Sequence, residues 1–245
     1  MDVPTLLLSH RFSDDSNRLW KAAIESGWNV HRLTLPEVGT FPEDALADAI
    51  YGETLFVQAF QVARPDVSLR ELSPTWLTTL PREFLGRIIR VEKLSEARRR
   101  QEPVFVKPTV DKQFEAKVYD PRDELVAPFV DGDPDVLVSG RVQFNIETRV
   151  FCLPSGMVTG SVYERDGALN PDVLGEFLPP VREVIGALQH GGHLPAPTVV
   201  DVGRLTNGKW VVIEANPAWG SGLYACDPHG VLRVLTAGFD RHPTP

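Results

Sequence analysis

One stretch constrains this chain more than any other: VVDVGRLTNGKWVVIEANP, residues 199–217. Asn207-Gly208 lies between two apolar runs, and Asn-Gly is the strongest short-range signal for a two-residue hairpin turn of type I′. Counting outward sets Thr206 opposite Lys209, Leu205 opposite Trp210 and Asp201 opposite Glu214. Strand side chains alternate between faces, so Glu214 and Asn216 share one face and Asn216 lies diagonal to Asp201. Val200, Val202, Val211, Ile213 and Ala215 fill the other face and read as core. Directly opposed Cβ atoms are about 4.5–5.5 Å apart, where like charges destabilise the pair. A hard divalent cation such as Mg2+ takes oxygen ligands, leans on one or two carboxylates plus substrate phosphates, and would remove the repulsion. The alternative is the ordinary solvated outer face of a hairpin.

The remaining sequence reads as α/β. Residues 5–9 are a buried strand and 14–26 a helix, with Ser13 as N-cap and Gly27 just past its end. Residues 28–35 and 54–58 are further strands, giving a βαβ opening. Strands are then expected at 84–91, 103–107, around Lys117 and Val118, and at 136–138, 143–153, 157–163, 198–205 and 210–216. Helices are expected at 95–100, 179–190 and 228–236.

At 245 residues the chain has room for one or two domains. Its longest apolar runs, such as the leucines at 6–8, are far shorter than the roughly 20 residues of a membrane span. The start carries Asp2 and no basic cluster, so no signal peptide is expected. Two cysteines, Cys152 and Cys226, are too few for a disulfide framework and point to a reducing cytoplasm. A net charge of −8 makes nucleic acid and anionic membrane poor partners.

Two shorter patterns accompany the hairpin. In VFVKP, residues 104–108, Lys107 closes an apolar strand and can reach a phosphate as a point charge, or be a solvated strand end. Lys112 and Lys117 follow, as further cations for an anionic ligand or as a solvated loop. In FNIETRVF, residues 144–151, Glu147 and Arg149 share a face while Ile146, Thr148 and Val150 share the other. Arg149 would offer a phosphate bidentate bonding, or the two form a surface ion pair. In the loop 217–224, Trp219 and Tyr224 either wall a substrate or pack the core, with Gly220 and Gly222 allowing close approach or positive φ. The Ser9-His10-Arg11 loop precedes a helix and is a weaker anion candidate. The HGGH run at 190–193 reads as a loop rather than a metal site.

In their order, these patterns resemble the ATP-grasp superfamily over about residues 80–235, and within it a bacterial branch whose match runs from VKP to EANPAWGSGLYACDP. The resemblance implies two α+β lobes gripping ATP, residues 79–135 and 136–245, behind a small Rossmann-like α/β lobe at 1–78. It implies that Lys107 contacts ATP phosphates, that Leu137, Val138 and Ser139 form the adenine hinge, and that Glu147 and Arg149 lie at the nucleotide. It places Mg2+ on Asp201, Glu214 and Asn216. The usual Gly-rich phosphate loop is missing after Lys107; TVDKQFEAK stands there, with Lys112 or Lys117 as substitutes.

The activity implied is a carboxylate–amine ligase working through an acyl phosphate, with Lys107 and Arg149 supplying positive charge. Its partner would be a small molecule or peptide bearing a carboxylate; a homodimer is left open. A non-catalytic ATP-binding module and an ATP-grasp phosphotransferase are the alternatives.

Overall fold

The computed structural model describes residues 3–40, 47–110, 113–121 and 132–242. The chain opens with β1 (Thr5–Ser9), α1 (Asp14–Glu25) and β2 (Asn29–Leu33), followed by α2 (Leu35–Gly39), β3 (Ala49–Tyr51), α3 (Thr54–Ala63) and β4 (Val67–Leu69). β2-β1-β3 form a parallel sheet with Leu6 and Leu7 wholly buried at its centre. Ser13 caps α1 through a capping box with Ser16, which satisfies end N–H groups that have no partner inside the helix. Gly27, at φ 77°, ends that helix and lets β2 begin.

Residues 54–58 are not a strand. They begin α3, whose Phe56, Val57 and Phe60 turn into the core while Leu55 and Val62 remain exposed. A short apolar run fits either period, and one-sided burial at helical spacing decides it. The third strand is the preceding Ala49–Tyr51.

A helical turn, α4 (Arg82–Leu85), likewise takes the start of the segment expected as a strand at 84–91. Gly86 at φ 63° terminates it, and β5 (Ile89–Lys93) follows. Next come α5 (Leu94–Ala97, one turn), β6 (Val104–Pro108), β7 (Lys117–Tyr119) and β8 (Asp135–Ser139). Their sheet order is β5-β8-β6-β7, antiparallel throughout.

The third group is β9 (Phe144–Leu153), β10 (Gly156–Arg165), β11 (Ala168–Val173), α6 (Leu178–His190), β12 (Thr198–Leu205), β13 (Trp210–Asn216), α7 (Pro228–Ala237) and β14 (Phe239–Arg241). Five of these strands make an antiparallel sheet, β11-β10-β9-β12-β13. β11 leaves no trace in the hydrophobic pattern because every one of its residues is exposed; it is an edge strand and contains Pro171. β14 pairs with β4, so the end of the described chain returns to its beginning.

The five-stranded sheet has two unlike faces. One carries Ile146, Val150, Cys152, Val200, Val202 and Val212 onto α6, in the largest apolar cluster. On the other, Phe151 and Val199 pack with residues of α1, β1 and α7, while the same face further along β9 holds Glu147 and Arg149. Among the described residues no helix is long and apolar enough to cross a membrane.

Candidate functional site

A cavity of about 240 Å3 opens between the four-stranded and five-stranded sheets. Leu77, Ile89, Phe105, Val118, Leu137, Val142, Phe144 and Ile213 make its apolar wall. Its charged members are Arg87, Lys107, Glu147 and Glu214. Lys107, at the end of β6, reaches across from one sheet to the other, with Nζ 2.5 Å from Glu214 Oε2. Burial would raise the Glu214 carboxyl, but Lys107, with a hydrogen bond from Asn216, holds it below the usual carboxylate range.

Asp201 does face Glu214, although the register near the turn differs from simple counting. Arg204 pairs with Trp210, Gly203 with Val211 and Val202 with Val212, one residue out of the expected step. A β-bulge at Ile213 restores it, so Glu214 meets Asp201 and Asn216 meets Val199. Val211 and Ile213, expected in the core face, both lie on the Asp201 face instead. Val211 is opposite Gly203, and Ile213 lines the cavity, while Val212 takes the core position.

The resulting cluster is tight. Asn216 Nδ2 donates to Glu214 Oε1 at 2.8 Å and lies 3.5 Å from Asp201 Oδ2. Asp201 is 1% exposed and accepts two bonds from Arg149, Nε to Oδ1 at 2.9 Å and Nη2 to Oδ2 at 2.7 Å. Burial raises the Asp201 carboxyl against the pull of Arg149; burial lowers Arg149, but Asp201, with Tyr224 and Tyr163, leaves it raised overall. Arginine keeps its proton, and both Asp201 oxygens accept from it in the bidentate geometry of a carboxylate ion pair.

Glu147 and Arg149 share a face as expected but do not pair with each other. Glu147 accepts from the Tyr163 hydroxyl at 2.5 Å, and burial raises its carboxyl. Tyr163 stacks on Tyr224, ring centroids 5.0 Å apart, and Arg149 lies over both rings.

Other expected residues divide. Leu137 and Val138 both line the cavity and are both held in the β8 ladder, and Val138 also belongs to the apolar cluster behind the sheet. The chain leaves the ladder after Ser139, and Ser139 and Gly140 border the cavity beside them.

Lys117 is not brought to the cavity. It pairs with Val106 on the far face of its sheet, with Nζ 2.6 Å from Glu115 Oε2, while its neighbour Val118 lines the cavity. A side-chain period of two makes these placements exclusive. Lys112 lies outside the described residues.

Trp219 packs against two apolar clusters, one within the first lobe and one where that lobe meets β9, β12 and α7, and donates to Glu71. Gly220 and Gly222 do not take positive φ; Tyr224 does, at 49°. From α1, Asp15 accepts the Leu223 N–H at 3.0 Å and Arg18 donates to the Tyr224 and Cys226 carbonyls, whereas His10 and Arg11 are exposed. His193 packs edge-on to Phe84. Sequence spacing does not point to Arg87, Tyr163, Asp15 or Arg18. Each acts through tertiary contacts that no local pattern records.

Two carboxylates and an amide suit a hard cation with oxygen ligands. Glu214 and Asn216 fit that role at the cavity rim, although Asn216 presents its nitrogen to the carboxylates. Asp201 fits less directly, since Arg149 engages both of its oxygens. Among the described residues no three His, Cys, Asp or Glu side chains are grouped to hold a metal.

Comparison with known proteins gives this arrangement a family. A family model described as an ATP-grasp domain, the second family of its clade, matches residues 84–234, well over half of the chain. Among solved structures, the RimK domain protein ATP-grasp from Sphaerobacter thermophilus DSM 20745 superposes with a TM-score of 0.56 at 15% identity, covering 96% of this chain and 98% of that one. The D-alanine–D-alanine ligase from Bacillus anthracis, complexed with ATP, gives 0.56 at 12% identity over 97% of each chain. The ATP-grasp ligase PsnB, complexed with its minimal precursor, gives 0.56 at 12% identity over 97% of this chain and 100% of that one. No curated protein matches the sequence. At these identities the solved structures speak for the fold, and the family match for descent: the chain belongs to the ATP-grasp domain family.

Proposed function

We propose that this chain is an Mg-ATP-dependent carboxylate–amine ligase that binds its nucleotide between the two sheets. The observation that carries the reading is Lys107 bridging the sheets at the end of an apolar slot, beside Glu214 and Asn216. The slot has the apolar lining and few convergent polar groups of a small-molecule site. Adenine would lie between Leu137, Phe105 and Ile213, with its edge toward Ser139 and Gly140. Lys107 would leave Glu214 for the phosphates. Glu214 and Asn216, with Asp201 behind them, would hold Mg2+, which supplies charge neutralisation at the phosphates when bound.

The chain's own part in the reaction is positioning and charge. Arg149, kept ionised by Asp201, faces the side where Gly222 and Tyr224 lie. There it would orient the acceptor carboxylate for in-line attack on the γ-phosphorus. ADP leaves, an acyl phosphate remains, and an amine displaces inorganic phosphate to give the amide. The lobes would then divide near residue 79 and, because β8 belongs to the four-stranded sheet, near residue 140 rather than 136, with 1–78 presenting α1 to the acceptor side.

The test is incubation of the protein with Mg-ATP and a panel of amino acids, peptides and amines, reading ADP, phosphate and product mass together. ADP and phosphate released in step with an amide support the ligase. A stable phosphorylated product identifies a phosphotransferase. Mg-ADP binding with no turnover on any acceptor identifies a binding module.

A further inference from the structure

Among the described residues β13 is the edge of its sheet and its outward main chain has no strand partner, and a bulge takes Ile213 out of the ladder as well. That bulge decides which way Glu214 points. If the pairing of Val202 with Val212 continued unbroken, Ile213 would face Asp201 and Glu214 would face Val200, on the side packed against α6.

Arg87 occupies this edge. Its Nη1 donates to the Val212 carbonyl at 3.0 Å and its Nη2 to the Ile213 carbonyl at 2.7 Å. Nη1 also donates to Leu85 of its own turn at 3.0 Å. The turn that delivers Arg87 is seated on the hairpin: a Cβ on Gly86 would come within 2.9 Å of Leu205 and 3.1 Å of Val211. The bulged Ile213 has a place prepared on the opposite strand, where a Cβ on Gly203 would lie 2.8 Å from its Cδ1.

We infer that Arg87 is a positioning residue whose clamp on the Val212 and Ile213 carbonyls holds the bulge that aims Glu214 and Asn216 at the nucleotide site. The inference rests on the Mg-ATP reading above and assigns Arg87 to the main chain of β13 rather than to the nucleotide. Lysine has one nitrogen on a flexible stem and would hold the two carbonyls less firmly than the rigid guanidinium fork, whose Nη1 and Nη2 take one each.

The experiment is calorimetric ADP binding with Mg2+ and with EDTA, for the wild type, Arg87→Met and Arg87→Lys, alongside hydrogen exchange of residues 212–216. Losing a partner that orients a metal ligand typically costs about 10–100-fold in metal affinity. Arg87→Met is therefore expected to lose about tenfold or more of the gain that Mg2+ gives to ADP binding, a loss larger than any seen in EDTA. Exchange at 212–216 should quicken, and Arg87→Lys should fall between. A direct nucleotide contact would weaken binding equally with and without Mg2+, and that result overturns the inference. So does an Arg87→Met protein that keeps the full Mg2+ gain, or, should that variant not fold, an Arg87→Lys protein with wild-type gain and exchange. Wild-type ADP binding indifferent to Mg2+ would instead remove the metal reading, and exchange at 212–216 would still report whether Arg87 holds the bulge.

Discussion

Across the cavity the two sheets present opposite surfaces. The five-stranded sheet brings Glu147 and Glu214 to the cavity beside Phe144 and Ile213, and next to these carboxylates Arg149, Tyr163, Asp201 and Asn216 are joined by hydrogen bonds and stacked rings. The four-stranded sheet offers Ile89, Phe105, Val118 and Leu137, with Lys107 as its charged residue at the cavity. Charge brought out of water has to be paired where it is buried, and pairing needs neighbouring strands in fixed register. Hydrocarbon needs only a surface. On the proposed reading, orientation of reacting groups would be built into the long central strands, and the flat face of the base would be met by the smaller sheet.

The comparison breaks most visibly at Asp201. Removing one partner of a buried ion pair leaves the other uncompensated, at a cost of about 3–5 kcal/mol. Asp201→Ala is expected to lose stability of that order in urea unfolding, because Arg149 remains among Tyr163, Tyr224 and the core strands. From sequence alone Asp201→Asn would be a silent way to remove a metal ligand; the bidentate bond to Arg149 makes it a destabilising change too. If Asp201→Ala unfolds at the wild-type urea concentration, the charge on this sheet is not held as described.

Glu214→Gln comes next. It leaves Asn216 and Lys107 a neutral acceptor, so the fold should persist. The gain that Mg2+ gives to ADP binding should fall about 10–100-fold, or about 1.4–2.8 kcal/mol. Calorimetry with and without Mg2+ reads it, and an unchanged gain would take the metal away from this hairpin.

The sequence discloses these two sheets unequally. Alternation marks Glu147 and Arg149 on one face of β9 and Ile146, Thr148 and Val150 on the other, as found, because that strand stays in step with β12 from Ile146 to Cys152. The hairpin is legible through Asn207-Gly208, and Asp201 does oppose Glu214. The bulge at Ile213 is not legible, since nothing local distinguishes it from plain alternation; Arg87, 126 residues away in sequence, supplies its hydrogen bond. In the smaller sheet the strands are short, and one residue of register decides whether a lysine meets the cavity. Lys107 does and Lys117 does not. The α3 segment misleads for a related reason: five apolar-rich residues carry no period, and only burial of Phe56, Val57 and Phe60 on one side reveals the helix.

The hydrocarbon side is tested by Phe105→Ala. Opening that wall should weaken ADP binding by about threefold to tenfold, the scale of part of an aromatic side chain's burial. The loss should be the same in Mg2+ and in EDTA, in contrast to Glu214→Gln. A loss confined to Mg2+ would mean that the two sheets do not divide the work.

The smallest effect belongs to Glu147, which sharpens what burying charge costs the larger sheet. Burial raises its carboxyl, opposed by the Tyr163 hydroxyl. With a folded value above the unfolded one, the native state keeps a proton that the unfolded chain has released. Stability from this group is therefore whole below the ordinary glutamate value of about 4.3 and declines as pH rises through the raised one. Glu147→Gln keeps an oxygen for Tyr163 and removes the titration. It should unfold at a slightly higher temperature than the wild type at pH 7, with the two melting together below about pH 4. Thermal unfolding across that range checks the sign. A variant less stable at pH 7 would mean that the Tyr163 bond outweighs burial, and that the larger sheet holds even this carboxylate at a net gain.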